Sequence, residues 1–224
     1  MRLIHLALTL NFEKEFISES ISQRLHKALT GKTSLCEELE EPGVEFRSLK
    51  KRQQVNWDST SCRIVMESVA DYSECITKMA AILETINQIA PIGRLSRKEF
   101  VTYWIIPAND YSFRLLEKKY RDTFIAPQRI WDNGYDSSVI VDMKINGMVL
   151  HHQSGAMERT QLRREYAAFK LDDVPPVFVF LLATVESFKM IEYSYNDISC
   201  FLNMAVDNCK IHSELFEETI KAIL

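Results

Sequence analysis

The chain has 224 residues, 46% hydrophobic and 26% charged, with a formal net charge of −4. That bounds it to one large globular domain or two small, closely packed ones. Only six glycines argues against glycine-rich phosphate loops, and the acidic balance argues against a nucleic-acid partner, which needs a basic stripe.

Five cysteines, an odd number with no C-x-x-C spacing, predict free thiols in a reducing cytosol rather than a disulfide framework or a zinc site. No apolar run reaches 18 residues, so no membrane span is expected. No metal or cofactor motif is present.

Leu3 to Phe12 alternates as a strand, not a signal peptide. Glu13 to Leu29 has helical spacing, with Phe16, Ile17, Ile21, Leu25 and Leu29 inward and Gly31 as its stop. Gly31-Lys32-Thr33 resembles the end of a phosphate loop, but His26 stands where the upstream glycine must be. Residues 32–42 read as an acidic loop, and Val44 to Leu49 as a short strand. Lys50-Lys51-Arg52 reads as a solvated basic loop, with Trp57 beyond it covering a core edge.

Cys62 to Val69 is the next strand. Asp71 to Ala90 is a helix ended by Pro91. Arg94 to Ile106 is a long strand with Phe100, Thr102, Trp104 and Ile106 on one face. Residues 1–108 therefore read βαββαβ, a ferredoxin-like half.

Residues 109–224 read αβββα. A helix runs from Asp110 to Phe124. Asn146-Gly147 between two β-rich runs predicts a type I′ hairpin. Residues 156–172 fit a loop, a short helix or a strand extension. Val177 to Val185 is apolar throughout and reads as a central strand. The expected fold is α+β, the two halves packed together and the second ending in a long helix.

That helix, from Tyr195 onward, carries a 4–3 spacing from Ile198 to Ile223 through Leu202, Ala205, Cys209, His212, Phe216 and Thr219. At 1.5 Å per residue it would span roughly 42 Å, about the width of the whole molecule. The excess length predicts a homodimer, with Phe201, Phe216 and Ile220 at the self-association surface.

Two stretches, Ile92-Gly93-Arg94 through Trp104-Ile105-Ile106-Pro107 and the closing helix with His212, Phe216 and Ile220, resemble a sporadically distributed family of uncharacterised bacterial α+β proteins. The resemblance covers about a third of the chain. It implies a bacterial, cytosolic, two-part α+β protein and carries over no activity.

If Asn146-Gly147 is the hairpin loop, Asp142 faces His151, and a carboxylate there could orient the imidazole as a general base. These two are the candidate catalytic residues, although no serine or cysteine is visibly delivered to them. His151 and His152 point to opposite faces and cannot share a metal ion. The residues point first to a non-catalytic, self-associating cytosolic protein that binds another macromolecule. The rivals are a hydrolase or ribonuclease using His151, and a small-molecule sensor with a pocket between the halves.

Overall fold

A computed structural model describes residues 1–13, 19–30, 35–38, 43–48, 52–67, 72–125, 137–165 and 174–224. The first half runs β1 (Arg2–Phe12), α1 (Glu19–Thr30), β2 (Leu35–Glu38), β3 (Gly43–Ser48), β4 (Gln53–Asp58), β5 (Ser61–Glu67), α2 (Tyr72–Ile89) and β6 (Arg94–Pro107). The second runs α3 (Phe113–Phe124), β7 (Ser138–Ile145), β8 (Met148–Glu158), α4 (Arg159–Glu165), β9 (Val177–Ser187), β10 (Ile191–Glu192) and α5 (Tyr195–Lys221).

The protein is α+β, and its strands form one antiparallel sheet. The order is β2-β3-β4-β5-β1-β6-β9-β8-β7, with β10 beside β6. β6 pairs with β1 of the first half and β9 of the second, so the sheet runs unbroken between them.

Three strands were not expected: β2 in part of the acidic loop, β4, and the two-residue β10; Trp57, expected to cover a core edge, lies on β4 and is 3% exposed. β4 places only Val55 and Trp57 in the core, between Gln54, Asn56 and Asp58, so its apolar content is too low to announce a strand. The phosphate-loop lookalike, Lys50, Lys51, Phe16 and Ile17 lie outside the described residues. Of the ambiguous 156–172 stretch, the described part splits between the end of β8 and α4.

Helices α1, α2, α3 and α5 contribute to the main core on one face. Leu25, Leu83, Tyr120 and Leu202 meet Leu6, Leu8, Phe100 and Leu181 there. Part of the other face carries a second core, in which Leu162 of α4 joins Tyr103, Ile105, Phe178 and Phe180. β9 has buried side chains on both faces, which is why it reads as an unbroken apolar run. Among the described residues no helix is long and apolar enough to cross a membrane.

Gly155 of β8 is a point of close approach. A Cβ there would lie 2.8 Å from the Ser137 carbonyl oxygen and 3.2 Å from Phe180 Cε1. Gly155→Ala should therefore cost about 1–3 kcal/mol through overpacking. A lowered urea midpoint at unchanged slope is the expected result; an unchanged midpoint would show that the β7 start moves aside freely.

The start of α5 is fixed by Ser194, whose Oγ accepts from the Asp197 amide at 3.1 Å and donates to Asp197 Oδ2 at 2.7 Å. Its buried stripe is Ile198, Phe201, Leu202, Ala205, Cys209, Ser213, Phe216 and Ile220. The predicted seam shares Ile198, Leu202, Ala205, Cys209 and Phe216 with this stripe, but Ser213 and Ile220 are buried beside it while Thr219 is exposed. A helix of 3.6 residues per turn drifts by about 20° per heptad against a 3.5 repeat. The burial thus marks a core-facing helix rather than a coiled-coil seam.

Candidate functional site

Asn146 and Gly147 have φ of 51° and 76°, the left-handed pair that a type I′ turn requires. The turn sets the register: Asp142 faces His151, Val141 faces His152 and Met143 faces Leu150. On the core side Met148, Leu150 and His152 are buried.

On the opposite side His151 Nδ1 lies 2.7 Å from Asp142 Oδ1, and its Nε2 lies 3.4 Å from Glu186 Oε2. Glu186 also pairs with Arg97, which reaches Glu99. The network joins β7, β8, β9 and β6. Burial lowers the His151 pKa, but the Asp142 hydrogen bond and the nearby Glu186 charge outweigh it and raise the group above its ordinary value. Glu99 is raised by burial and by Glu186, against the pull of Arg97.

Both ring nitrogens of His151 thus face carboxylates. Both contacts favour the protonated imidazole, whereas a general base needs a free lone pair directed at a nucleophile. Among the described residues, the hydrogen-bond and ion-pair partners of His151 include no hydroxyl or thiol.

The second histidine is better connected than a core-edge residue. His152 Nδ1 lies 2.7 Å from His212 Nε2 of α5. His152 Nε2 bonds Ser154 Oγ, which lies 2.6 Å from Tyr120 Oη of α3. The chain is satisfied in either direction, for example with Tyr120 donating to Ser154, Ser154 to His152 and His152 to His212. Phe216 meets the His152 ring edge-on at 5.3 Å. Burial, then the neighbouring His212, lowers the His152 pKa to about 4; burial lowers His212 as well and raises Tyr120 to about 12. Ser154 is fully buried, so this serine–histidine pair is a structural strut between α3, β8 and α5, not a nucleophile open to substrate.

The residues expected at a self-association surface are placed inward. Phe201 is 4% exposed beneath the Lys98 ammonium, while Phe216 and Ile220 belong to the main core. The large apolar groups that α5 leaves outside are Tyr195 at its start and, further along, Ile211 and Leu215, at 58% and 59% exposure. His212, beside Ile211, reaches β8, so this flank lies toward the β7 end of the sheet.

Ser154 was within reach of sequence reasoning, because positions 152 and 154 share a strand face. Glu186 and Arg97 were not, since they arrive on strands distant in sequence. Among the described residues, no cluster of three or more His, Cys, Asp or Glu side chains is placed to hold a metal ion, and Cys62, Cys75, Cys200 and Cys209 are free thiols. No protein-family model matches the chain, and no curated protein matches it in sequence.

Proposed function

We propose that this is a non-catalytic cytosolic protein that associates with a second copy of itself along β7. What carries this reading is a sheet edge that no strand among the described residues pairs, beside exposed apolar side chains: Ile140 and Val141 on β7 itself, and Ile211 and Leu215 on the neighbouring flank of α5. Edge strands invite pairing unless they are blunted. Charge fits as well. With Met143 of one copy opposite Met143 of the other, an antiparallel pair of β7 strands sets Lys144 of each copy against Asp142 of the other, and Val141 against Ile145.

Cross-strand pairs of opposite charge contribute roughly 0.2–1 kcal/mol each, and the two-fold axis doubles the contribution. The β6-β1-β5-β4 order, with α1 and α2 on one face, supports a ferredoxin-like first half with two strands added at its edge. A hydrolase is disfavoured by the two carboxylates that occupy His151.

Light scattering tests the association. A mass near twice 26.0 kDa is expected at high concentration, falling toward the monomer on dilution. Lys144→Asp should weaken the dimer, and adding Asp142→Lys should restore it. A mass of 26.0 kDa at every concentration would end the proposal.

A further inference from the structure

Among the described residues β7 is the last strand of the sheet order, and its turn decides what that edge offers. A two-residue turn makes Ile145 and Met148 a pair that exchanges both backbone hydrogen bonds, and the exchange recurs at every second position. Val139, Val141, Met143 and Ile145 thus direct their N–H and C=O groups to β8. Ile140, Asp142 and Lys144 direct theirs away from it, and their side chains share the sheet face opposite the main core.

An incoming antiparallel strand bonds at those outward positions. With Met143 on the two-fold axis, Asp142 of one copy and Lys144 of the other exchange both backbone bonds, their Cα atoms about 5.5 Å apart. Lys144 is exposed and faces Val149 on β8, which carries no charge.

Asp142 is already engaged. Its Oδ1 lies 2.7 Å from Nδ1 of His151, whose Nε2 lies 3.4 Å from Glu186 Oε2. Glu186 is held in turn by Arg97, which also bonds Glu99. When His151 is protonated the row alternates in sign: Arg97 positive, Glu186 negative, His151 positive and Asp142 negative. Lys144 of a second copy continues it. Among the described residues no other charged group pairs with His151.

One carboxylate therefore serves two cations. A protonated His151 neutralises Asp142 and sets a positive charge two strands from the incoming ammonium. A neutral imidazole leaves the whole carboxylate charge to that ammonium. We propose that His151 regulates the β7 dimer, and the proposal rests on that dimer: its imidazolium and Lys144 of the second copy compete for the Asp142 carboxylate, so the pairing tightens as the imidazole loses its proton.

The sign follows from linkage. Lys144 of the second copy opposes the imidazolium, so His151 holds its proton less tightly in the dimer than in the free chain. The free chain then binds more protons, and association strengthens as pH rises. Burial lowers the His151 pKa, but the Asp142 hydrogen bond and the Glu186 charge outweigh it and keep it above 6.5, which puts the change in the neutral range. A roughly threefold loss of proton affinity at each of two histidines multiplies to about tenfold in association.

Sedimentation equilibrium of the full chain between about pH 6.5 and about pH 8.5 tests this, above the range in which acid weakens the fold. The dissociation constant should fall about tenfold across that interval. His151→Gln replaces a side chain 37% exposed with an amide that does not titrate, and its constant should change by less than about twofold. The imidazole resonance of His151, assigned by its loss in His151→Gln, gives the reciprocal reading. It should titrate at lower pH when the chain is concentrated enough to pair than when it is dilute. A dimer whose constant is level with pH, an equal pH dependence in His151→Gln, or a His151 titration unmoved by pairing would each overturn this inference and leave the dimer standing. A mass of 26.0 kDa at every pH and concentration would end both.

Discussion

Phe216→Ala should destabilise the protein by about 3–5 kcal/mol, while Leu215→Ala, one residue away, should change it by under about 0.5 kcal/mol. Phe216 is 7% exposed and braces the His152 ring; Leu215 is 59% exposed. Removing the ring leaves a cavity beside the polar strut that ties α5 to β8 and α3. The loss is a large share of the roughly 5–15 kcal/mol that holds a typical domain together. Urea unfolding of both variants measures it, and a Phe216→Ala cost below about 1 kcal/mol would show that the helix end repacks. Phe201→Glu extends the argument: a carboxylate at this buried position should prevent stable folding rather than change the mass of a folded protein.

Acid should unfold the protein before most carboxylates titrate. His5 and His152 are buried, and their pKa values fall from 6.5 to about 4. For His5 the cause is burial and then the Arg63 charge; for His152 it is burial and then His212. The unfolded chain therefore takes up more protons between pH 6.5 and 4, and stability falls as pH drops through that window. Each histidine contributes a loss on the order of 3 kcal/mol by pH 4. His212 is lowered too and adds in the same direction.

His151 works the other way. Its raised pKa stabilises the fold below the unfolded value and ceases to do so as pH rises. It is more than a third exposed, and solvent screening leaves its contribution smaller. Urea unfolding at a series of pH values should show a steep fall below about pH 6. His152→Gln should flatten part of that fall while starting from lower stability at pH 7. A curve level from pH 7 to 4.5 would show that these imidazoles accept protons without disturbing their surroundings.

The hairpin was legible because its determinants are local. Asn146 and Gly147 tolerate positive φ, and a two-residue loop then fixes every pair back to Ile140 and Gln153. β9 and α2 were legible for the same reason: their signals lie in a few consecutive residues. β4 was not, because two buried residues among polar neighbours carry no clear period.

By itself the sequence determined the α+β class, the long closing helix and the Asp142–His151 pairing, since periodicity and turn chemistry act over a few residues. Only the tertiary structure decided which neighbours those residues meet. It turned Phe201, Phe216 and Ile220 inward, on the face of α5 that meets the main core. It brought Glu186 to His151 across β9, and His212 to His152 from α5. It set Tyr72 beside Trp104 in the wall of a cleft between two helices. Contacts between elements so far apart in the chain are fixed by sheet order and helix placement, and no short stretch of sequence encodes either.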